Sequence, residues 1–148
     1  MTTYDPPGRR IFLTARSCVG SVFRHQGRNP EYGLDCIGLI IYVSKVLGLS
    51  GFDITDYRKI PRRDAISAHV RAAGFGERAK SGMMPGDAVI LRIGKYLEHA
   101  AIISDRGIIH ACEKYGGVVE HGLDAEWRSR IISVHSFPDF SHKHQGTV

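Results

Sequence analysis

No apolar run in these 148 residues approaches the roughly 20 that a bilayer-spanning helix needs; "CIGLIIYV" at 36–43 is far shorter. The N-terminus "MTTYDPPGRRIF" has no apolar core of the kind a secretory signal carries, so the product is expected to be made in a cytoplasm without an export segment. Cysteine is scarce. The three residues Cys18, Cys36 and Cys112 are an odd, widely spaced set and do not form a disulfide framework. Acidic residues are the minority, 15 against 20 Lys and Arg, which leaves a net charge of +5 and a pI near 9.3. Such a balance favours an anionic partner. The basic residues are scattered, however (Arg9, Arg10, Arg62, Arg63, Arg128, Arg130), and no stacking aromatics interleave with them, so no nucleic-acid partner is expected. Repeats, low-complexity segments and linkers are also missing.

What remains is the composition of one globular domain, 43% apolar and 24% charged, large enough for a core without staples. A single domain over 1–148 is expected, with its core at about 8–138 and a flexible tail at 139–148. Apolar residues at helical spacing predict a helix over 8–19 and a second over 36–47, ended by Gly48 or Gly51. A third is predicted from about Asp64 to Ala73, with Gly74 as its stop. The segment 20–33, "GSVFRHQGRNPEYG", reads as a loop. The period then changes to two. "MMPGDAVILRIGK" is a Pro-Gly turn feeding a strand, "EHAAIISDRGIIHACEKYGGVVEHG" reads as three strands with turns at "DRG" and "YGG", and "RIISVHSF" is a fifth. Helices first and antiparallel strands afterwards predict an α+β domain, N-terminal helices packed on a sheet of about five strands.

Cys36 stands at the start of the second helix behind Asp35, a good N-cap residue. A helix N-terminus favours a thiolate, so the position suits a nucleophile. If Asp105 and Arg106 are the centre of a tight hairpin turn, Ala101 faces His110 and His99 faces Cys112. His99 and His110 then share one face of the sheet, and one extra turn residue would separate them. That arrangement suits nucleophile, base and orienter: Cys36 attacks an acyl carbon, His99 takes and returns the proton, and His110 orients His99. The backbone N–H of Cys36 would serve the oxyanion. Other readings stay open. A cysteine among Leu and Ile is more often buried filler, and a strand histidine more often structural. His99, His110 and Cys112 could ligate zinc, although no second close Cys or His pair stands at a familiar spacing. Cys112 could itself be the nucleophile, without the helix dipole. His25, His69, His121, His135, His142 and His144 fit structural or surface roles.

The order of these landmarks resembles the NlpC-type, papain-like cysteine peptidases that cut bacterial cell-wall peptides. "LDCIGLI" is similar to their Asp-Cys-x-Gly-Leu nucleophile motif, "MMPGDAVIL" to their Pro-Gly-Asp strand, "EHAAII" to their catalytic His strand and "GIIHAC" to the later His-Ala strand. The likeness spans about residues 10–138. A narrower likeness is to peptidases encoded in the tail-gene clusters of tailed phages and gene transfer agents, carried by "VGSVFRHQGRNPEYGLDCIGL" and "YGGVVEHGLDAEWRSRIISVHSFP".

The resemblance implies a papain-like fold with Cys36 as nucleophile, His99 as base and His110 as third member, and with Tyr32, Asp35, Phe23 and His25 near the substrate. It implies hydrolysis of an amide in the peptidoglycan stem, between a D-glutamyl residue and a diamino acid, with no metal and no organic cofactor. The implied partners are the stem peptide and the tail-tip or baseplate proteins of a phage or gene transfer agent. The virion tail would then deliver the enzyme to the cell wall without an export segment. Two positions depart from the family. Phe23 stands where a tyrosine commonly serves the oxyanion site, and Ile37 stands where a small serine often follows the nucleophile. A structural tail component with a vestigial site, or an amidase or acyltransferase of the same fold, are the alternatives.

Overall fold

Why the histidines meet is a matter of strand order and register. The computed structural model describes residues 7–49, 53, 65–94 and 97–138, so the expected tail at 139–148 and the expected helix start at Asp64 lie outside the described residues. Helix α1, Pro7–Arg16, begins with a proline where no intrahelical donor is required and buries Ile11, Phe12 and Ala15 on one face. It ends three residues before the expected limit, because the amides of Cys18 and Val19 close tight turns on the carbonyls of Ala15 and Arg16. The segment read as a loop contains half of a small hairpin, β1 (Arg28–Asn29) paired with β2 (Gly33–Leu34). Helix α2, Cys36–Val46, follows directly. It buries Ile37 to Ile41, Val43 and Ser44, which makes it the central helix rather than a surface one. Helix α3 runs over Ala65–Ala72, and Gly74 beyond it adopts φ +89°, as a stop signal there requires.

The remaining elements are β3 (Gly76–Arg78), β4 (Ala88–Ile93), β5 (Leu97–Ile103), β6 (Ile108–Cys112), β7 (Gly117–His121), α4 (Ala125–Ser129) and β8 (Ile131–Ser136). Six strands form one antiparallel sheet in the order β3-β8-β4-β5-β6-β7. The sequence predicts about five. The extra one, β3, has three mostly exposed residues and no apolar alternation; it is a strand only because Glu77 and Arg78 pair with His135 and Val134 of β8. Helix α4 was likewise invisible to periodicity, at five residues with an Asp124 cap on the Trp127 amide.

The sheet is buried on both faces. One face carries Ile90, Ala100, Ile102, Ile109 and Ala111 against Ile11, Phe12, Leu39 and Val43 of the helices. The other carries Val89, Leu91, Ala101, Ile103, Ile108 and Val134, with Leu123 and Trp127 packed over them. That two-sided burial explains why "AVIL" in β4 reads as a continuous apolar run. The hairpin has the register expected of a turn centred on Asp105 and Arg106. Ser104 N–H donates to the Gly107 carbonyl at 2.9 Å, and Ile103 pairs with Ile108 and Ile102 with Ile109.

Candidate active site

The site starts from the Asp35-Cys36-Ile37-Gly38 turn of α2. Asp35 is buried, and its two carboxylate oxygens accept from the Gly38 and Gln26 amides, each at 2.7 Å. One bond caps the helix, and the other ties down the preceding loop. Arg28 Nη1 lies 3.5 Å from the same carboxylate and His25 Nδ1 3.9 Å away. Gly38 has a separate reason. A Cβ there would overlap the Gly27 carbonyl oxygen, so only glycine lets the loop reach the helix. The motif is thus a docking device for the preceding loop.

Cys36 is half-buried at the first position of α2. The amides of Ala100, Ile37 and Cys36 itself turn toward its sulfur. The sequence favours a depressed thiol at this helix start, and here the structure corrects it. Burial pushes the Cys36 thiol up to about 12, the Asp35 charge adds to the rise, and the three amides offset only part of it.

Ladder pairs between β5 and β6 run only from Ile103↔Ile108 to Ile102↔Ile109 among the described residues. Beyond them the strands part, and the start of α2 comes in where the Ala100 amide meets the Cys36 sulfur. His99 sits one residue earlier on β5, half-buried, its base strength drawn down to about 4 by burial. Its Nε2 lies 2.8 Å from Nδ1 of His110, which is wholly buried on β6. His110 is lowered further, to about 3, by burial first and then by the neighbouring rings of His99 and His121. The shared face expected from register is therefore present, and the two rings meet edge to face with centroids 5.0 Å apart.

The chain of rings does not end there. His110 Nε2 lies 2.8 Å from Nε2 of His121 on β7, and His121 Nδ1 lies 2.9 Å from the Gly122 carbonyl. Sequence reasoning missed His121. Its face depends on the β6–β7 register (Ile108↔His121), and the connecting turn is a 3-10 turn at Glu113–Tyr115 closed by Gly116 at φ +81°, so the pairing cannot be counted off as in a two-residue turn. Trp127 packs on both rings, with centroids 4.7 Å from His121 and 5.3 Å from His110, and Tyr115 closes the edge.

The residues expected at the substrate divide. Phe23 is half-buried in the cluster that includes Cys36, its amide donating to the Gly116 carbonyl at 2.9 Å. The bridge from Val22 to Gly117 holds this segment beside β7, where a Cβ on Gly117 would overlap the Ser21 carbonyl oxygen. His25 lies exposed beside Asp35. Tyr32 is 66% exposed in the β1–β2 turn. Asp35 is buried, with its carboxylate held by two backbone amides. Cys18 and Cys112 are both buried, and burial raises the Cys18 thiol. The zinc reading finds no geometry, since the ring nitrogens are hydrogen-bonded directly to one another. Among the described residues no group of three or more His, Cys, Asp or Glu side chains is arranged to hold a metal.

The fold recurs in known proteins. The profile of the NlpC/P60 family matches residues 20–136. The fold is similar to the NlpC/P60 domain of the peptidoglycan hydrolase SagA, with 23% identity, a TM-score of 0.61, and 89% of this chain and 100% of that one covered. It is similar to an NlpC/P60 family protein of Bacillus cereus (17% identity, TM-score 0.67, 92% and 42% covered). It is also similar to NlpC1 of Trichomonas vaginalis (17% identity, TM-score 0.65, 91% and 46% covered). The chain thus spans the whole SagA domain but less than half of the latter two proteins. No curated protein sequence gives a significant match.

Proposed function

The chain belongs to the NlpC/P60 family, and from that premise we propose that it is a cysteine peptidase of the bacterial cell wall, with Cys36 as nucleophile, His99 as base and acid, and His110 as the group that orients His99. The observation that carries this reading is the 2.8 Å bond between His99 Nε2 and His110 Nδ1. It commits one nitrogen of His99 and leaves Nδ1 for the thiol, at the open end of the hairpin where α2 begins.

The neutral resting pair sets the chemistry. As the Cys36 sulfur attacks the carbonyl carbon, its proton passes to His99 Nδ1 and a C–S bond forms. Negative charge on the carbonyl oxygen is met by the Cys36 amide at the helix start. Collapse breaks the C–N bond, and His99 returns the proton to the leaving amine. Water then attacks the thioester with His99 as base, releasing a carboxylate and the free thiol. Phe23 brings no hydroxyl to the oxyanion, so the backbone amide of Cys36 carries more of that load.

The substrate we propose is an amide of the peptidoglycan stem, between a D-glutamyl residue and a diamino acid. The net charge of +5 favours approach to anionic wall polymers, an effect lost at high salt. The likeness of residues 19–39 and 115–138 to tail-cluster peptidases supports a place in the tail of a phage or gene transfer agent, docked on tail-tip or baseplate proteins. Incubation with peptidoglycan fragments tests the chemistry: new amine appears with the unaltered protein and none with Cys36→Ala, while the melting temperature stays nearly unchanged. Full release by Cys36→Ala and loss in Cys112→Ala would move the nucleophile to Cys112. No release by the unaltered protein would leave a structural tail component. Absence from purified tailed particles would remove the tail assignment alone.

A further inference from the structure

We propose that His121 is a fourth member of the site, a positioning residue that fixes which nitrogen of His110, and through it of His99, carries the proton. The inference rests on the peptidase reading for its catalytic meaning but on hydrogen-bond direction for its logic. The Gly122 carbonyl can only accept, so the 2.9 Å contact puts a proton on His121 Nδ1. In the form of His121 that carries this one ring proton, Nε2 is left to accept, and His110 donates to it through its own Nε2–H. His110 Nδ1 is left as an acceptor, so His99 donates through Nε2–H. The outcome is a lone pair on His99 Nδ1, which is the form a base toward the Cys36 thiol requires. One backbone carbonyl thus sets the polarity of three rings in series.

His110 alone does not supply this. Without an acceptor beyond it, the buried His110 ring can hold its proton on Nδ1 equally well. His99 would then accept at Nε2 and carry its proton on Nδ1, facing the thiol with the wrong tautomer. The surroundings hold His121 in place. Trp127 stacks 4.7 Å from it, Arg130 covers the Trp127 ring at 4.7 Å, and the Asp124 cap fixes the Trp127 amide at 2.8 Å. This gives α4 a function: it clamps the last ring of the relay.

The test starts with the unaltered protein. Nitrogen-15 NMR of the imidazoles at neutral pH is expected to show His110 and His99 as Nε2–H tautomers; an Nδ1–H tautomer at either ring would overturn the proposal without any variant. His121→Leu removes the acceptor and is expected to mix the tautomers of His110. It should also lower kcat on a γ-glutamyl–diamino acid peptide on the order of ten- to a hundredfold with KM little changed, the scale of losing an outer partner of a working imidazole. His121→Gln is expected to restore both, since its amide oxygen accepts from His110 and its NH2 donates to Gly122. A His121→Leu protein with the original kcat, or a glutamine variant no better than the leucine one, would overturn it. Activity remaining in Cys36→Ala would instead sink the peptidase reading and leave the tautomer result standing.

Discussion

The two ends of the β5–β6 hairpin are built from the same strands and do opposite things. At the turn end, Ile102, Ile103, Ile108 and Ile109 are buried and paired rung by rung. At the open end the ladder stops, the Ala100 amide goes to the Cys36 sulfur, and imidazoles bridge the gap between strands. The closed end sets the register, and the open end uses that register to bring His99 and His110 together. Polar rings survive in this interior because each has a ring or carbonyl partner, so their burial costs less than an orphaned group would.

That contrast can be broken most severely at the turn. One residue inserted between Asp105 and Arg106 would shift the register by one and move His110 to the face packed on α2. Cleavage is expected to vanish together with cooperative unfolding, as followed by peptide assay and circular dichroism. A variant that keeps activity would show that the rings can meet without this turn. The next largest effect separates the ends. Ile109→Ala, at a fully buried position of the closed end, is expected to lower stability by about 2–5 kcal/mol in denaturant titration while the folded fraction keeps its kcat. His99→Gln at the open end is expected to do the reverse, losing on the order of a hundred- to ten-thousandfold in kcat with a small change in midpoint.

The buried histidines also respond to pH, and the sign follows from burial. His99, His110 and His135 all have folded values lowered below the ordinary imidazole value near 6.5. Below about 6.5 the unfolded chain takes up protons that the native rings refuse, so stability is full above that pH and falls as the pH drops toward about 4. A melting temperature unchanged between pH 7.5 and pH 4.5 would contradict this, and His110→Gln should flatten the slope. The thiol gives a subtler reading. With Cys36 pushed up to about 12, its alkylation by iodoacetamide is expected to be slow at neutral pH and to climb through the alkaline range. Fast alkylation below pH 7 would show a resting ion pair instead. The smallest effect is Phe23→Tyr, expected to raise kcat a fewfold if its hydroxyl reaches the oxyanion, and to leave it unchanged if the ring is too deep in the cluster with Cys36.

Much of this was legible in residues alone where the signal was local. The Asp35 cap, the Gly48 and Gly74 stops, and the two-residue turn at Asp105 and Arg106 are statements about a few neighbouring dihedrals, and each is as expected. The shared face of His99 and His110 followed because a two-residue turn allows simple counting. His121 escaped because a longer turn breaks the count, and β3 escaped because its three residues have no pattern of their own. That Asp35 holds backbone amides of two separate segments cannot be seen in one stretch of chain.

The amino-acid order by itself determined the first three helices, the five longer strands, the hairpin register and the identity of the nucleophile candidate, because capping, period and turn length act over a few residues. Only tertiary structure decided what surrounds the groups: a Cys36 thiol pushed up by burial and three imidazoles hydrogen-bonded in a row. Ionisation and proton position depend on what surrounds a side chain in space, and burial between a helix start and a parted hairpin is made by segments some sixty to eighty residues apart in the chain.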